Sequence, residues 1–138
     1  MGEIRMDAKA LITAYFDAFN AGQTGQMLDL LHDEVEHHVN EGQIRKGKEL
    51  FAEFNAHMTR CYAEKLTDMV VFANEAEDRA AAEFIVNGTY LATDEGLPPA
   101  NGQTYRLPAG SFFNIRDGKI SRVTTYYNLG DWIKQVSA

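Results

Sequence analysis

Residues 102–128 read GQTYRLPAGSFFNIRDGKISRVTTYYN, with two runs of β-branched and aromatic residues on either side of Asp117-Gly118. An Asp-Gly pair between such runs is typical of a tight type I′ turn, which needs a positive φ at both central residues. The sequence therefore predicts a β-hairpin in the middle of a curved antiparallel sheet. Alternate residues of a strand share one face, and here they are Ser111, Phe113 and Ile115, then Val123, Thr125 and Tyr127.

Three helices are predicted before this hairpin, because apolar residues recur there at three- and four-residue spacing. The first begins after the capping residue Asp7 and ends at about Asn20, before Gly22. The second begins at Thr24 and continues to the charged pair at residues 33 and 34. Its inward face is expected to consist of Met27, Leu28, Leu30 and Leu31. The third covers about residues 47–61.

Strands are predicted at residues 35–39, 64–73 and 79–92, where β-forming residues dominate. Gly88 inside the last of these predicts a bulge or a bend. Residues 93–102 carry two prolines and two glycines, which indicates a loop, and Trp132 anchors a last short helix at 130–136. Helices on one side of an antiparallel sheet make an α+β domain, and a strongly bent sheet leaves a conical space for a ligand.

The totals indicate one domain over residues 1–138, since the chain has an ordinary globular composition, no repeat and no linker. The net charge of −7 argues against nucleic acid as a partner, and no apolar run is long enough to span a membrane. Residues 1–6 lack the features of a secretory signal, and the single cysteine, Cys61, excludes an internal disulfide. We therefore expect a cytoplasmic location.

Four segments of the sequence resemble the nuclear transport factor 2-like superfamily, in particular its ketosteroid isomerase and SnoaL-like branch. They are YFDAFNAG at 15–22, MLDLLHDEVEHHVNEG at 27–42, GKELFAEF at 47–54 and FNIRDGKISRVTTYY at 113–127. The resemblance covers nearly the whole chain. It implies a cone-shaped α+β barrel, in which an antiparallel or mixed sheet wraps around a pocket closed by three N-terminal helices. It also implies a homodimer formed through the sheet.

The isomerases of this superfamily use a tyrosine and a protonated aspartic acid to stabilise an oxyanion, and a carboxylate as the general base. Position by position, the resemblance places the tyrosine at Tyr15 and the second oxyanion group at Ser111, a hydroxyl in place of a carboxyl. The general base falls on Val39, with Asn40 beside it, and neither can take a proton from carbon. Other residues expected to bind the ligand are Phe51, Asn55, Met58, Phe84, Val86, Phe113, Thr125 and Tyr127.

Another residue could replace the missing base. His37 shares a strand face with Val39, and an imidazole is suited to moving protons near neutral pH, although a histidine on a half-buried strand is often only a hydrogen-bonded wall residue. Asp94 and Glu95 lie in a loop that could fold over the mouth of the cone, although such carboxylates are more often solvated loop charges. His57 lies at the edge of an apolar helix face and is expected to be a core or rim residue.

Neither a metal nor a cofactor is expected. His37 and His38 are adjacent on a strand and point to opposite faces, and no spacing matches a recognised zinc or iron site. Cys61 ends a helix among apolar residues without an evident base, so it is not expected to be a nucleophile. The glycines are scattered at turns and form no phosphate-binding loop.

Three functions stay open at this point. The first is an isomerase or cyclase acting on a small apolar carbonyl or polyketide-like molecule, with Tyr15 polarising an oxygen and His37 or a loop carboxylate moving the proton. The second is a module that binds a small hydrophobic molecule without changing it, as the missing aspartate suggests. The third is a non-catalytic dimerisation domain. Of these, we favour the enzyme.

Overall fold

The computed structural model describes residues 6–40 and 42–137. The expectation about residues 1–6 and the turn that contains Glu41 therefore lie wholly or partly outside the described residues. The helices are α1 (Ala8–Asn20), α2 (Thr24–Asp29), α3 (Lys48–Cys61) and α4 (Leu129–Val136). The strands are β1 (Leu31–Val39), β2 (Arg45–Lys46), β3 (Tyr62–Ala73), β4 (Arg79–Tyr90), β5 (Thr104–Arg116) and β6 (Lys119–Tyr127). No helix of the described residues is both long and apolar enough to cross a membrane.

The six strands form one curved sheet in the order β2-β1-β6-β5-β4-β3. Strand β1 pairs with β6 in parallel, while the other neighbours are antiparallel. The helices pack on the concave side of this sheet, with α1 against β3 and β4, and α3 against β1. The expected α+β architecture with a mixed, wrapped sheet is therefore confirmed.

The hairpin predicted around Asp117-Gly118 is present. Both residues have the positive φ that a type I′ turn requires, 55° at Asp117 and 71° at Gly118. The strands on either side of this turn are β5 and β6, the two central strands of the sheet, and Ser111 lies opposite Thr125 in their register. The faces expected from alternation are present: Ser111, Phe113 and Val123 are buried, and Ile115 and Tyr127 pack against the core. The register shift at residues 114 and 115 comes from one extra residue in β6 and leaves the alternation of β5 unbroken.

Helix α1 begins and ends where the sequence predicted. The Asp7 carboxylate accepts a hydrogen bond from the Ala10 amide at 2.7 Å and so caps the first turn. The apolar stripe of this helix is buried, and Gly22, just beyond its end, has a φ of 69°. A left-handed backbone at that place is what ends a helix at glycine.

The second helix is shorter than predicted. It ends at Asp29, and Leu31 belongs to β1, which covers nine residues rather than the five expected. Residues 31–34 extend because β1 pairs with β6: Leu31 lies opposite Ile120, and the Ile120 amide donates to the Leu30 carbonyl. This pairing with a strand some ninety residues away overrides the local helical pattern.

Three further details differ from the sequence prediction. The short strand β2 was not predicted, because two residues carry no readable periodicity. Gly88 lies in an unbroken register between Glu64 and Tyr105, so of the two predicted alternatives, a bulge or a bend, the bulge does not occur. The register of β3 shifts instead between residues 67 and 70, where Asp68 has a φ of 56°.

Candidate active site

The concave face of the sheet and the helices enclose a cavity of about 730 Å³. Most of the residues expected at the ligand site line it. These are Tyr15, His37, Val39, Phe51, Asn55, Met58, Phe84, Val86, Ser111, Thr125 and Tyr127. Trp132 of α4 lines it as well, so the fourth helix contributes to the wall together with the three N-terminal ones.

Two residues expected at the ligand site do not line this cavity. Phe113 is completely buried below the wall, where its ring packs edge-on against Tyr15 at 5.8 Å. Asn40 ends β1 with a φ of 47°, and its side-chain oxygen accepts a hydrogen bond from the Tyr127 amide at 2.9 Å. Phe113 therefore supports the tyrosine from behind, while Asn40 fixes the end of β1 against β6.

Tyr15 presents an unpartnered hydroxyl group to the cavity. Its ring is held by edge-on contacts with Phe16 and Phe113, and the side chain is only 6% exposed. The hydroxyl forms no hydrogen bond to any described residue, although buried tyrosine hydroxyls usually have a partner. Burial raises the pKa of Tyr15 above its ordinary value, so the phenol keeps its proton and is available as a donor.

His37 is the second polar group without a partner. Its ring lies between Phe51 and Phe54, with centroid distances of 4.6 and 4.7 Å, and the residue is 5% exposed. Nδ1 is fully buried and, within the described part of the chain, has no hydrogen-bond partner. Burial lowers the pKa of His37 to about 4, and the positive charge of Arg45 adds to this effect, so the imidazole is neutral at neutral pH.

Ser111 and Thr125 form a pair of hydroxyl groups on the cavity wall. Their side-chain oxygens are 2.8 Å apart, on opposite residues of β5 and β6. Since one hydroxyl donates to the other, the acceptor of the pair keeps a proton that it can give to a ligand. The position expected to hold a second oxyanion group is therefore occupied by a neutral, hydrogen-bonded pair.

Glu64 of β3, which was not among the predicted site residues, also lines the cavity. Its carboxylate accepts a hydrogen bond from the Tyr105 hydroxyl of β5, across the intervening strand β4. Gly88 makes this contact possible, since a Cβ atom there would lie 2.2 Å from the Tyr105 ring. Burial raises the pKa of Glu64, and the hydrogen bond from Tyr105 opposes that rise. The signal in the sequence was the alternation Tyr62, Glu64, Leu66, which puts a carboxylate on the inward face.

The loop carboxylate Asp94 lies behind the wall rather than over the mouth. One of its oxygens is 2.8 Å from Nε2 of His57, and the other accepts the Tyr62 hydroxyl at 2.6 Å. Neither Asp94 nor His57 lines the cavity, and the neighbouring Glu95 is exposed and does not line it either. Asp94 thus ties the loop after β4 to the end of α3.

His57, Cys61 and Asp94 bring three potential metal-binding atoms within 4.8 Å of one another. Arg60 lies 2.9 Å from Nδ1 of His57, and because a guanidinium group only donates, Nδ1 must be the acceptor. Nε2 then carries the ring proton and donates it to Asp94. Binding a metal through Nε2 would require that proton to leave and Arg60 to move, so hydrogen bonding accounts for this arrangement. The same nitrogen faces both Cys61 and Asp94, which also differs from a Cys-His-Asp triad, where the two partners use opposite ring nitrogens.

Comparison with known proteins fits this geometry. The sequence matches the SnoaL-like domain over residues 12–123. The chain belongs to the SnoaL-like family. A comparison of this SnoaL-like chain with curated proteins finds no match.

Solved structures similar to this SnoaL-like protein cover it almost completely. A candidate polyketide cyclase from Silicibacter sp. TM1040 is 65% identical, with a TM-score of 0.93 over 99% of this chain and 100% of that one. Another from Pseudomonas putida KT2440 is 57% identical, with a TM-score of 0.94 over 95% and 98% of the two chains. A nuclear transport factor 2-like protein from Burkholderia xenovorans LB400 shares only 11% identity but has a TM-score of 0.74 over 98% and 99% of the chains. This last similarity concerns the fold alone.

Proposed function

We propose that this protein binds a small, largely apolar carbonyl compound of the polyketide type in its cavity and catalyses isomerisation or cyclisation by moving a proton. One observation carries the proposal: Tyr15 and His37 line the same cavity, and no hydrogen bond to either side chain occurs among the described residues. Nδ1 of His37 is fully buried, so a ligand would meet the Tyr15 hydroxyl and the other ring nitrogen of His37. The similarity to candidate polyketide cyclases supports the choice of ligand class.

The proposed step is removal of a proton from the carbon next to the carbonyl group. In the tautomer with its proton on Nδ1, the neutral His37 presents the Nε2 lone pair, which takes the proton. The electron pair of the broken C–H bond forms a C=C bond, and the carbonyl electrons move to oxygen, where the Tyr15 hydroxyl stabilises the charge. Return of the proton to another carbon completes an isomerisation. Attack of the enolate carbon on a second carbonyl of the same molecule instead closes a ring, and the new alkoxide takes the proton back from His37.

Exchange of the protons next to a carbonyl for deuterium, followed by NMR, tests this step on enone and β-keto compounds. We expect the exchange rate to fall by about 10² or more in Tyr15→Phe, and by about 10²–10⁴ in His37→Ala. Matched controls are Tyr126→Phe, at an exposed tyrosine, and His38→Ala, at the neighbouring residue on the opposite face of β1. An unchanged rate in both Tyr15→Phe and His37→Ala contradicts the mechanism.

A second candidate function is binding without turnover. It is favoured by Val39, an apolar residue where the resemblance implies a general-base carboxylate. Saturable binding of the same compounds, with no deuterium exchange above the rate in buffer, would select this function. Disappearance of bound substrate would exclude it.

We also propose that two copies of the chain associate through the outer face of the sheet. Large apolar side chains are exposed on the outward residues of three strands, namely Val70, Phe72, Phe112 and Tyr126. The register joins them into one patch, because Phe72, Ala81 and Phe112 are direct neighbours across β3, β4 and β5. This patch lies on the side of the sheet opposite the cavity, so that association would leave the cavity open.

A further inference from the structure

We propose that Glu64 accepts a hydrogen bond from a hydroxyl group of the ligand, at the end of the cavity away from Tyr15 and His37. This inference rests on the proposed function and adds a second polar group to the ligand. The compound would carry a carbonyl at one end and a hydroxyl at the other, with an apolar body between them.

One of the two carboxylate oxygens of Glu64 is available to accept a hydrogen bond. Its Oε2 accepts a hydrogen bond from the Tyr105 hydroxyl, and no hydrogen bond to Oε1 occurs among the described residues. Within the same residues, Glu64 forms no ion pair with a lysine, an arginine or a histidine. A carboxylate in an apolar wall is costly unless it is paired or hydrogen-bonded, so an unpaired one that faces a cavity is a candidate for ligand recognition.

The strand register separates Glu64 from His37 and Tyr15. His37 lies opposite Val123, and Val123 lies opposite Phe113, which lies opposite Ala80 of β4. Glu64 lies opposite Gly88 of the same strand. Eight residues separate Ala80 from Gly88, which puts the two groups at levels toward opposite ends of β4. Tyr15 belongs to the His37 end, because its ring packs on Phe113.

The carboxylate of Glu64 is held in place by a specific contact with Tyr105. Tyr105 reaches it across β4 only because Gly88 has no side chain, and the hydrogen bond holds the carboxylate against the wall. Tyr127 lies close enough that the charges of Glu64 and Asp94 raise its pKa, in addition to the effect of burial. Tyr62, Tyr105 and Tyr127 all line the same cavity, so this end of it has a carboxylate among phenols.

Three rigid biphenyl probes test the assignment in calorimetric titrations at neutral pH. They are 4-acetylbiphenyl, 4-acetyl-4′-hydroxybiphenyl and 4-acetyl-4′-methoxybiphenyl, which share the carbonyl and differ only at the far end. The hydroxyl compound can donate to Glu64, whereas the methoxy compound can only accept. We expect the hydroxyl compound to bind up to about tenfold more tightly than either of the others, as one additional hydrogen bond allows.

Variants of Glu64 assign this preference to the residue. In Glu64→Leu we expect the three probes to bind equally, and in Glu64→Gln we expect a preference of only a few-fold, because a neutral amide accepts more weakly. Unchanged binding of 4-acetylbiphenyl shows that each variant keeps its fold and cavity. Glu83→Leu, at an exposed glutamate on the outer face of β4, is the matched control and should keep the full preference.

Two results overturn the inference without touching the proposed function. One is equal binding of the hydroxyl and methoxy compounds to the natural protein, and the other is a preference that persists in Glu64→Leu. Failure of all three probes to bind would instead overturn the ligand-binding cavity itself, and this inference with it.

Discussion

His37 occupies a site that favours its neutral form. Two phenylalanine rings enclose the imidazole, and Arg45, the residue opposite it on β2, adds a repelling positive charge. Together they lower the pKa of His37 to about 4, whereas the ordinary value is about 6.5. The ring nitrogen is thus unprotonated at neutral pH without help from a carboxylate.

This difference in pKa couples the protonation of His37 to folding. Below about pH 6.5 the unfolded chain binds a proton at this residue, whereas the folded protein does not until about pH 4. Stability is therefore fully present above pH 6.5 and is lost as the pH falls toward 4, by up to about 3 kcal/mol. Urea unfolding of the natural protein and of His37→Phe across this range measures the effect, since other groups titrate equally in both. Parallel curves for the two proteins would contradict it.

For single residues, the sequence predicted which face a side chain lies on better than it predicted the hydrogen-bond partner of that side chain. Helical periodicity places Tyr15 on the apolar stripe of α1, and strand periodicity puts His37 on the same face as Val39 without telling which face is concave. The structure has both residues on the cavity wall. Periodicity cannot say whether a hydroxyl finds a partner, because that depends on residues remote in sequence. Glu64 was not predicted as a site residue because the predicted strand begins at this residue, so its alternation with Tyr62 and Leu66 was not visible.

Gly88 of β4 has no side chain, and this allows a contact between the strands on either side of β4. Gly88 lies between Glu64 and Tyr105 in the register, and the Tyr105 ring occupies the space where a Cβ would be. Glycine has a lower strand propensity than other residues, but here it allows a contact between β3 and β5 across β4.

Gly88→Ala should consequently destabilise the protein by about 1–3 kcal/mol, since Tyr105 must leave its position and the hydrogen bond to Glu64 is lost. Thermal and urea unfolding measure this. Gly110→Ala is the matched control, because a Cβ there would meet its nearest atom at an ordinary 3.5 Å. In a Tyr105→Leu background the cost of Gly88→Ala should shrink, and an equal cost in both backgrounds would refute the explanation.

Elements with local signals were predictable and those with distant partners were not. The Asp7 cap, the stripe of α1 and the Asp117-Gly118 turn depend on neighbours within a few residues. The first residues of β1 extend because of β6, which the local pattern at 27–34 cannot reveal. The prediction that the sheet wraps around a pocket came from the resemblance to a known superfamily, because no local sequence pattern indicates it.

For the whole molecule, the two faces of the sheet have different chemistry. The concave face lines the cavity, and the outer face exposes the apolar patch around Phe112, whose ring lies edge-on to Tyr126 with a centroid distance of 6.0 Å. Exposed apolar patches of this kind mark association surfaces.

Light scattering during size-exclusion chromatography tests the proposed dimer. We expect the natural protein to have twice the mass of the 15.5 kDa chain, and Phe112→Asp to have the mass of one chain, since association would bury an unpaired carboxylate. Lys9→Asp changes an exposed residue of α1 to the same amino acid and should leave the dimer intact. A natural protein with the mass of one chain, or a Phe112→Asp dimer, would refute this interface.

The parallel pairing of β1 with β6 also determines when the cavity can come into existence during folding. His37 and Val123 are neighbours in the sheet although 86 positions separate them, and β2 is attached to the sheet only through β1. Contacts of such high sequence separation form slowly, since a long loop must close before they stabilise anything. On a chain synthesised from its N-terminus, β1 must wait for almost the entire sequence to emerge from the ribosome. The wall that holds His37 therefore cannot be completed before β6 is available.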